Sequence, residues 1–99
     1  MYKILANDGI EDSAKSKLIE LGYDVDTTHY QGEELDKKIQ EVDCIIVRSA
    51  TKVRVPLIDK ALETNKLKLI IRAGVGIDNI DHLYATEKGI SVRNTPNSS

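Results

Sequence analysis

Three of the chain's four arginines stand at the ends of short apolar runs, and this placement is its most chemically specific feature. Arg48 ends DCIIVRS, Arg72 ends LKLIIRA and Arg93 stands in ISVRN, while the ten lysines are scattered. Arginine offers a planar fork of donors that matches a carboxylate or phosphate two bonds at a time. Ser49 and Thr51 follow the first arginine, and the turn Gly74-Val75-Gly76 follows the second. Backbone N–H groups in a glycine turn ahead of a helix add a concavity favourable to anions. Taken singly, each arginine is as well explained by a surface carboxylate. Two of them beside a glycine turn and hydroxyls favour a small anionic ligand. Arg93 is the weakest member, because strand alternation is expected to turn it away from the others.

The glycine turn invites comparison with a dinucleotide cradle, and it fails that comparison. Such a cradle needs G-x-G-x-x-G near the first strand, with an acid about 20 positions later. Here the third position is Asn79, and the turn follows the fourth apolar run. Asp78, Asn79 and Asp81 read instead as N-cap candidates for the next helix. Other uses of a similar fold also fall away. A receiver domain needs a phosphoacceptor aspartate where this chain has Arg48-Ser49, and a flavodoxin needs a hydroxyl-rich loop where it has NDGIED. His29 and His82 have no partners at ligand spacing, so no metal site is expected.

These residues must be positioned by an alternation of strands and helices. Strands are expected over 2–7, 23–28, 43–49, 67–73 and 90–94. Helices are expected over 9–22, 32–42, from Pro56 to Asn65, and over 80–89. The first helix would be capped by Asp8, stopped by Gly22, and faced inward by Ile10, Ala14, Leu18 and Leu21. Pro56 suits a first helical position, where a missing N–H costs nothing. Near-continuous apolar strands between helices indicate a doubly wound parallel sheet, α/β in class, with the flavodoxin-like order 2-1-3-4-5. Ligands of such sheets bind outside the carboxyl ends of the strands, where the arginines stand.

Ninety-nine residues allow one domain, 1–99, with a single core. A composition 40% hydrophobic and 30% charged is that of a soluble globular protein. Its net charge of −2 supplies no field for nucleic acid or an anionic membrane, and no apolar run is long enough to span a bilayer. The single cysteine, Cys44, excludes an internal disulfide, fits a cytoplasmic location and reads as a small buried hydrophobe. Tyr23, Tyr30 and Tyr84 read as packing residues.

The segments KILANDGI, VRSATKV, LIIRAGVGIDNID and KGISVRNTPN resemble, in that order, the amino-terminal substrate domain of the D-2-hydroxyacid dehydrogenases. The likeness is strongest to the phosphoglycerate dehydrogenase branch, which opens serine biosynthesis. The resemblance implies that Arg48, Ser49 and Arg72 meet the anionic groups of a 2-hydroxy acid. It implies that the backbone of Gly74, Val75 and Gly76 cradles the substrate carboxylate, that Val75 approaches the nicotinamide of NAD, and that Asn97 lines the cleft. It places the catalytic arginine, glutamate and histidine in a separate Rossmann domain, so none is assigned here. The chain is thus expected to be the substrate-binding half of such an enzyme, ending before its last helix. Alone it is expected neither to bind NAD tightly nor to transfer hydride. An uncovered sheet face would favour a homo-oligomer or a domain-swapped dimer. Without the resemblance, a freestanding flavodoxin-like anion-binding module or a scaffold remains open.

Overall fold

The computed structural model describes residues 2–74 and 78–94. Its elements run β1 (Lys3–Ala6), α1 (Asp12–Glu20), β2 (Asp24–Asp26), α2 (Glu33–Ile39), β3 (Cys44–Val47), α3 (Val55–Thr64), β4 (Leu69–Arg72), α4 (His82–Glu87) and β5 (Ser91–Asn94). The five strands form one parallel sheet in the order β2-β1-β3-β4-β5. That is the order expected from right-handed crossovers between neighbouring parallel strands. The shared direction brings the ends of β1, β3 and β4, and so Asn7, Arg48 and Arg72, to one edge.

Alternation divides the sheet residues between two unequal cores. Leu5, Ile45, Val47 and Ile70 face the larger one, which takes Leu35 and Ile39 from α2, Leu57, Ile58 and Ala61 from α3, and Ala85 from α4. Ile4, Ala6, Cys44 and Ile46 face the smaller one, where Ile10, Leu18, Val25, Leu69 and Ile71 are only partly buried. β3 is buried along its whole length, which is why its run is apolar without alternation.

The first helix departs from expectation. It begins at Asp12, no side chain caps it, and Asp8 bonds across to the loop after β3. Of the inward face, Ile10 and Leu18 pack against the smaller core, while Ala14 and Leu21 are exposed. Burying none of its residues, α1 is the most weakly anchored helix of the sheet. Its stop is as expected: Gly22 adopts φ +93°, its N–H reaches Ile19 O, and the Tyr23 N–H reaches Leu18 O. This pair of bonds satisfies two carbonyls that the helix end would leave unpaired. At α3, Pro56 takes the second position, not the first. Tyr30 and Tyr84 pack against the larger core, but Tyr23 lies half-open against Tyr2.

Cys44 occupies the small buried slot expected of it, at 1% exposure. Burial, helped by the nearby Asp43, pushes its thiol up to about 12, so thiolate is scarce in the native state. At mildly alkaline pH a thiol-specific reagent is expected to leave the native chain unlabelled and to label it fully in denaturant. Rapid labelling without denaturant would contradict this placement.

Candidate functional site

Backbone groups that leave the strand ends need partners, and three side chains supply them. Asn7, 1% exposed, donates from Nδ2 to Tyr30 O (3.0 Å) and Thr51 Oγ1 (2.8 Å), and accepts from the Tyr30 N–H (2.8 Å). Thr51 Oγ1 donates to Asp8 Oδ1. Asp8 Oδ2 accepts from the N–H groups of Arg48 (2.7 Å) and Thr51 (3.0 Å). The imidazole of His29 donates from Nδ1 to Asn7 O at 2.7 Å and lies 3.5 Å from Asp8 Oδ1. Burial alone would raise the Asp8 carboxyl, but the Thr51 hydroxyl, the two amides and His29 together hold it below its ordinary value.

The other side of the loop is held by Asn79. Its Nδ2 donates to Arg48 O and Thr51 O, both at 2.7 Å, and its Oδ1 accepts from Arg72 Nε at 3.2 Å. Arg72 also donates from Nη1 to Ala73 O at 3.1 Å. Gly74 makes room for that guanidinium, because a methyl built on it would overlap Arg72 Nη1. Of the expected cap candidates in this segment, Asp81 does stand at the N-cap of α4, but its side chain does not cap that helix. Asn79 binds loop carbonyls instead of its own helix, and Asp81 accepts from the Val55 N–H (2.8 Å) and Arg54 Nη1 (3.3 Å). Asp81 thereby serves an unpaired donor at the start of α3.

Between the loops after β3 and β4 lies a cavity of about 250 Å³, lined by Ser49, Lys52, Arg54, Arg72, Asp78 and Asn79. Lys52, Arg54 and Arg72 outnumber Asp78 in this lining, beside a hydroxyl and an amide, with Arg54 offset by Asp81 at 3.3 Å, so the composition suits an anion. The structure thus brings Ser49 and Arg72 together and adds Lys52 and Arg54. Arg48 is exposed beside the cavity without lining it, and Gly74 turns behind Arg72. Arg93 is exposed and pairs in register with Ile71, one position out of phase with Arg72. Val75, Gly76 and Asn97 lie outside the described residues. A larger recess of about 530 Å³ runs beside α4 and includes His82 and Leu83, but its Arg54 is ion-paired to Asp81. At the turn itself, Asn79 fills the place of a third cradle glycine with a hydrogen-bonded side chain, and α4 is only six residues long.

The family model described as "D-isomer specific 2-hydroxyacid dehydrogenase, catalytic domain" matches residues 4–99. The chain belongs to this family. It is 48% identical over 99 residues to a D-3-phosphoglycerate dehydrogenase of Methanocaldococcus jannaschii, covering 100% of this chain and 18% of that protein. It is 43% identical over 99 residues to a hydroxypyruvate reductase of Thermotoga maritima, covering 99% of this chain and 31% of that one. Among solved structures, the NAD+-bound 3-phosphoglycerate dehydrogenase of Entamoeba histolytica superposes with a TM-score of 0.76 at 30% identity, over 95% of this chain and 32% of that one. The chain therefore spans between about a fifth and a third of these relatives' lengths.

In this D-2-hydroxyacid dehydrogenase family member, Asp8, Thr51 and Asn79 hold the loops of the candidate site together, a role that the sequence analysis did not give them. Their signal was present: each is a short polar side chain beside an apolar run, where burial demands a partner. A carboxyl held below its ordinary value in the folded state adds stability that is complete above its unfolded value, about 3.9. That stability is lost as pH falls through the lower folded value. Asp8→Asn is expected to destabilise the chain by about 1–3 kcal/mol at neutral pH, because its amide would face three donors. It should also flatten the loss of stability below about pH 4. Urea midpoints measured across that range check both.

Proposed function

We propose that this chain is the substrate-binding part of an NAD-dependent D-3-phosphoglycerate dehydrogenase and grips 3-phosphoglycerate by its two anionic groups. The observation that carries this reading is the cavity between the β3 and β4 loops, where Ser49 and Arg72 meet Lys52 and Arg54. A substrate with a phosphate and a carboxylate matches a cavity lined by Lys52, Arg54 and Arg72 better than a single carboxylate would. Arg48 stands at the rim for the second group, the Gly74–Gly76 backbone receives the carboxylate, and Asn97 completes the cleft. Similarity to phosphoglycerate dehydrogenases over the whole chain supports the same choice. The hydroxypyruvate reductase likeness is the second reading, and the excess of cations weighs against its smaller charge.

NAD supplies the hydride acceptor of this chemistry, and in this proposal Val75 faces its nicotinamide end. The acid–base residues and the pyrophosphate cradle belong to a Rossmann domain outside residues 1–99. In support, neither histidine lines the cavity, and Asn79, hydrogen-bonded to the Arg48 carbonyl, stands where a cradle would have its third glycine. The isolated chain would therefore not reduce NAD when given phosphoglycerate. We further propose that it self-associates through the half-covered sheet face bearing Leu69 and Ile71. Sedimentation or light scattering should then show mass rising with concentration, and a monomer at every concentration would refute this.

Titration with 3-phosphoglycerate, followed by amide NMR, tests the binding reading. Shifts are expected at Arg48, Ser49, Arg72 and Gly74, and Arg72→Ala should weaken binding by about tenfold or more, as loss of a hydrogen-bonded charge implies. Tighter binding of hydroxypyruvate than of 3-phosphoglycerate would favour the second reading. No shift with either ligand would leave the chain a scaffold.

A further inference from the structure

We infer that Asn79 is the positioning residue of the anion grip, holding the Arg48–Thr51 loop and the Arg72 guanidinium in one fixed relation. The inference rests on the anion-site reading of the cavity and goes beyond it, because it names what fixes the site's geometry.

The argument begins with valence. An asparagine amide has two N–H donors and one carbonyl acceptor. At Asn79 both donors are taken by the carbonyls of Arg48 and Thr51, and the acceptor is taken by Arg72 Nε–H. Two acceptors and one donor around it admit only one orientation, since a flipped amide would set oxygen against carbonyl oxygens. Asn79 is 7% exposed, so water is a poor substitute for any of these partners.

Its backbone is equally constrained. The Val53 N–H donates to Asn79 O at 2.8 Å, the Asp81 N–H donates to Val53 O at 2.8 Å, and Ile80 bridges Val53 in parallel. Val53 is fully buried, so this short ladder ties Asn79 to the larger core. The side chain therefore projects from a fixed base. It reaches the loop after β3 with one edge and the last residue of β4 with the other.

Charge explains why an amide serves here. A carboxylate at this position would also orient Arg72 Nε–H, but it would neutralise the guanidinium and repel the two loop carbonyls. An amide directs the cation without adding a negative charge that would oppose an incoming anion. A longer glutamine would displace either the loop or the guanidinium, because three partners already fit the shorter side chain.

The test uses this chain, with Asn79→Ala and the near-isosteric Asn79→Asp. Without ligand, the Arg72 Nε–Hε resonance is expected to move and exchange faster in Asn79→Ala, while amides of the β3 and β4 core stay in place. With 3-phosphoglycerate, Asn79→Ala should bind about tenfold more weakly, the equivalent of one hydrogen bond to a charged group. Asn79→Asp should keep the Arg72 resonance downfield yet bind still more weakly, because the cation is neutralised. A folded Asn79→Ala chain with an unmoved Arg72 resonance and undiminished affinity would overturn the positioning role. Should Asn79→Ala fail to fold, wild-type affinity in Asn79→Asp would overturn it equally. If 3-phosphoglycerate fails to bind the parent chain, the same titrations run with inorganic phosphate. An Arg72 resonance that still depends on Asn79 then sinks the substrate reading and leaves the positioning role standing.

Discussion

The carboxyl edge of this sheet depends on one constraint: its loops bury backbone groups that no strand can pair. A parallel strand ends with its ladder unfinished, and the chain then crosses over the core where water is scarce. Asn7, Asp8 and Asn79 answer that need with short side chains, and all three converge on the loop after β3. Asn7 joins the segment after β2 to the loop after β3, Asp8 holds that loop from beneath, and Asn79 joins it to β4. Of the cations at this edge, Arg72 is held directly by one of these ties.

The choice of carboxylate or amide at each tie has an electrostatic logic. Asp8 is nearly fully buried and its oxygens are occupied by three donors from one loop, so its charge is absorbed by backbone and hydroxyl dipoles. It therefore organises the loop without opposing an anion at the surface. Asn79 stands in direct contact with Arg72, where a carboxylate would oppose it. A neutral amide at that place and a shielded carboxylate at the other are both compatible with an anion site. Exchanging them would not be.

Much of this fold was legible because its strongest signals are long-range consequences of burial. The apolar runs around Ile45 and Ile70 could only be central strands, and their sequence order with helices between led to the observed sheet. α1 was less legible, since Ala14 and Leu21 suggest a buried face that the small second core does not extend far enough to cover. Arg72 and Ser49 could be chosen by chemistry and position, and the cavity brings them together. Asp8 and Asn79 were misread as local helix caps because capping is a short-range rule, and Asp81, which does stand at the N-cap of α4, turns its side chain elsewhere. Each instead found donors or acceptors from 26 to 43 residues away in sequence. Only the packed sheet makes those partners neighbours.

The cations themselves pose a last physical question, since Lys52, Arg54 and Arg72 around one small cavity must repel one another. The arrangement is tolerable because the sheet edge is open to solvent, where repulsion is screened, and because Asp81 offsets Arg54 at 3.3 Å. Arg72 is drawn back over Gly74 by Ala73 O and Asn79 Oδ1, which holds its charge at a set place against that repulsion. An anion entering the cavity would gain attraction and relieve repulsion at once. In the proposed reading such a site would favour ligands that carry more than one negative charge, and the tie from Asn79 to Arg72 would help to hold the spacing of its cations.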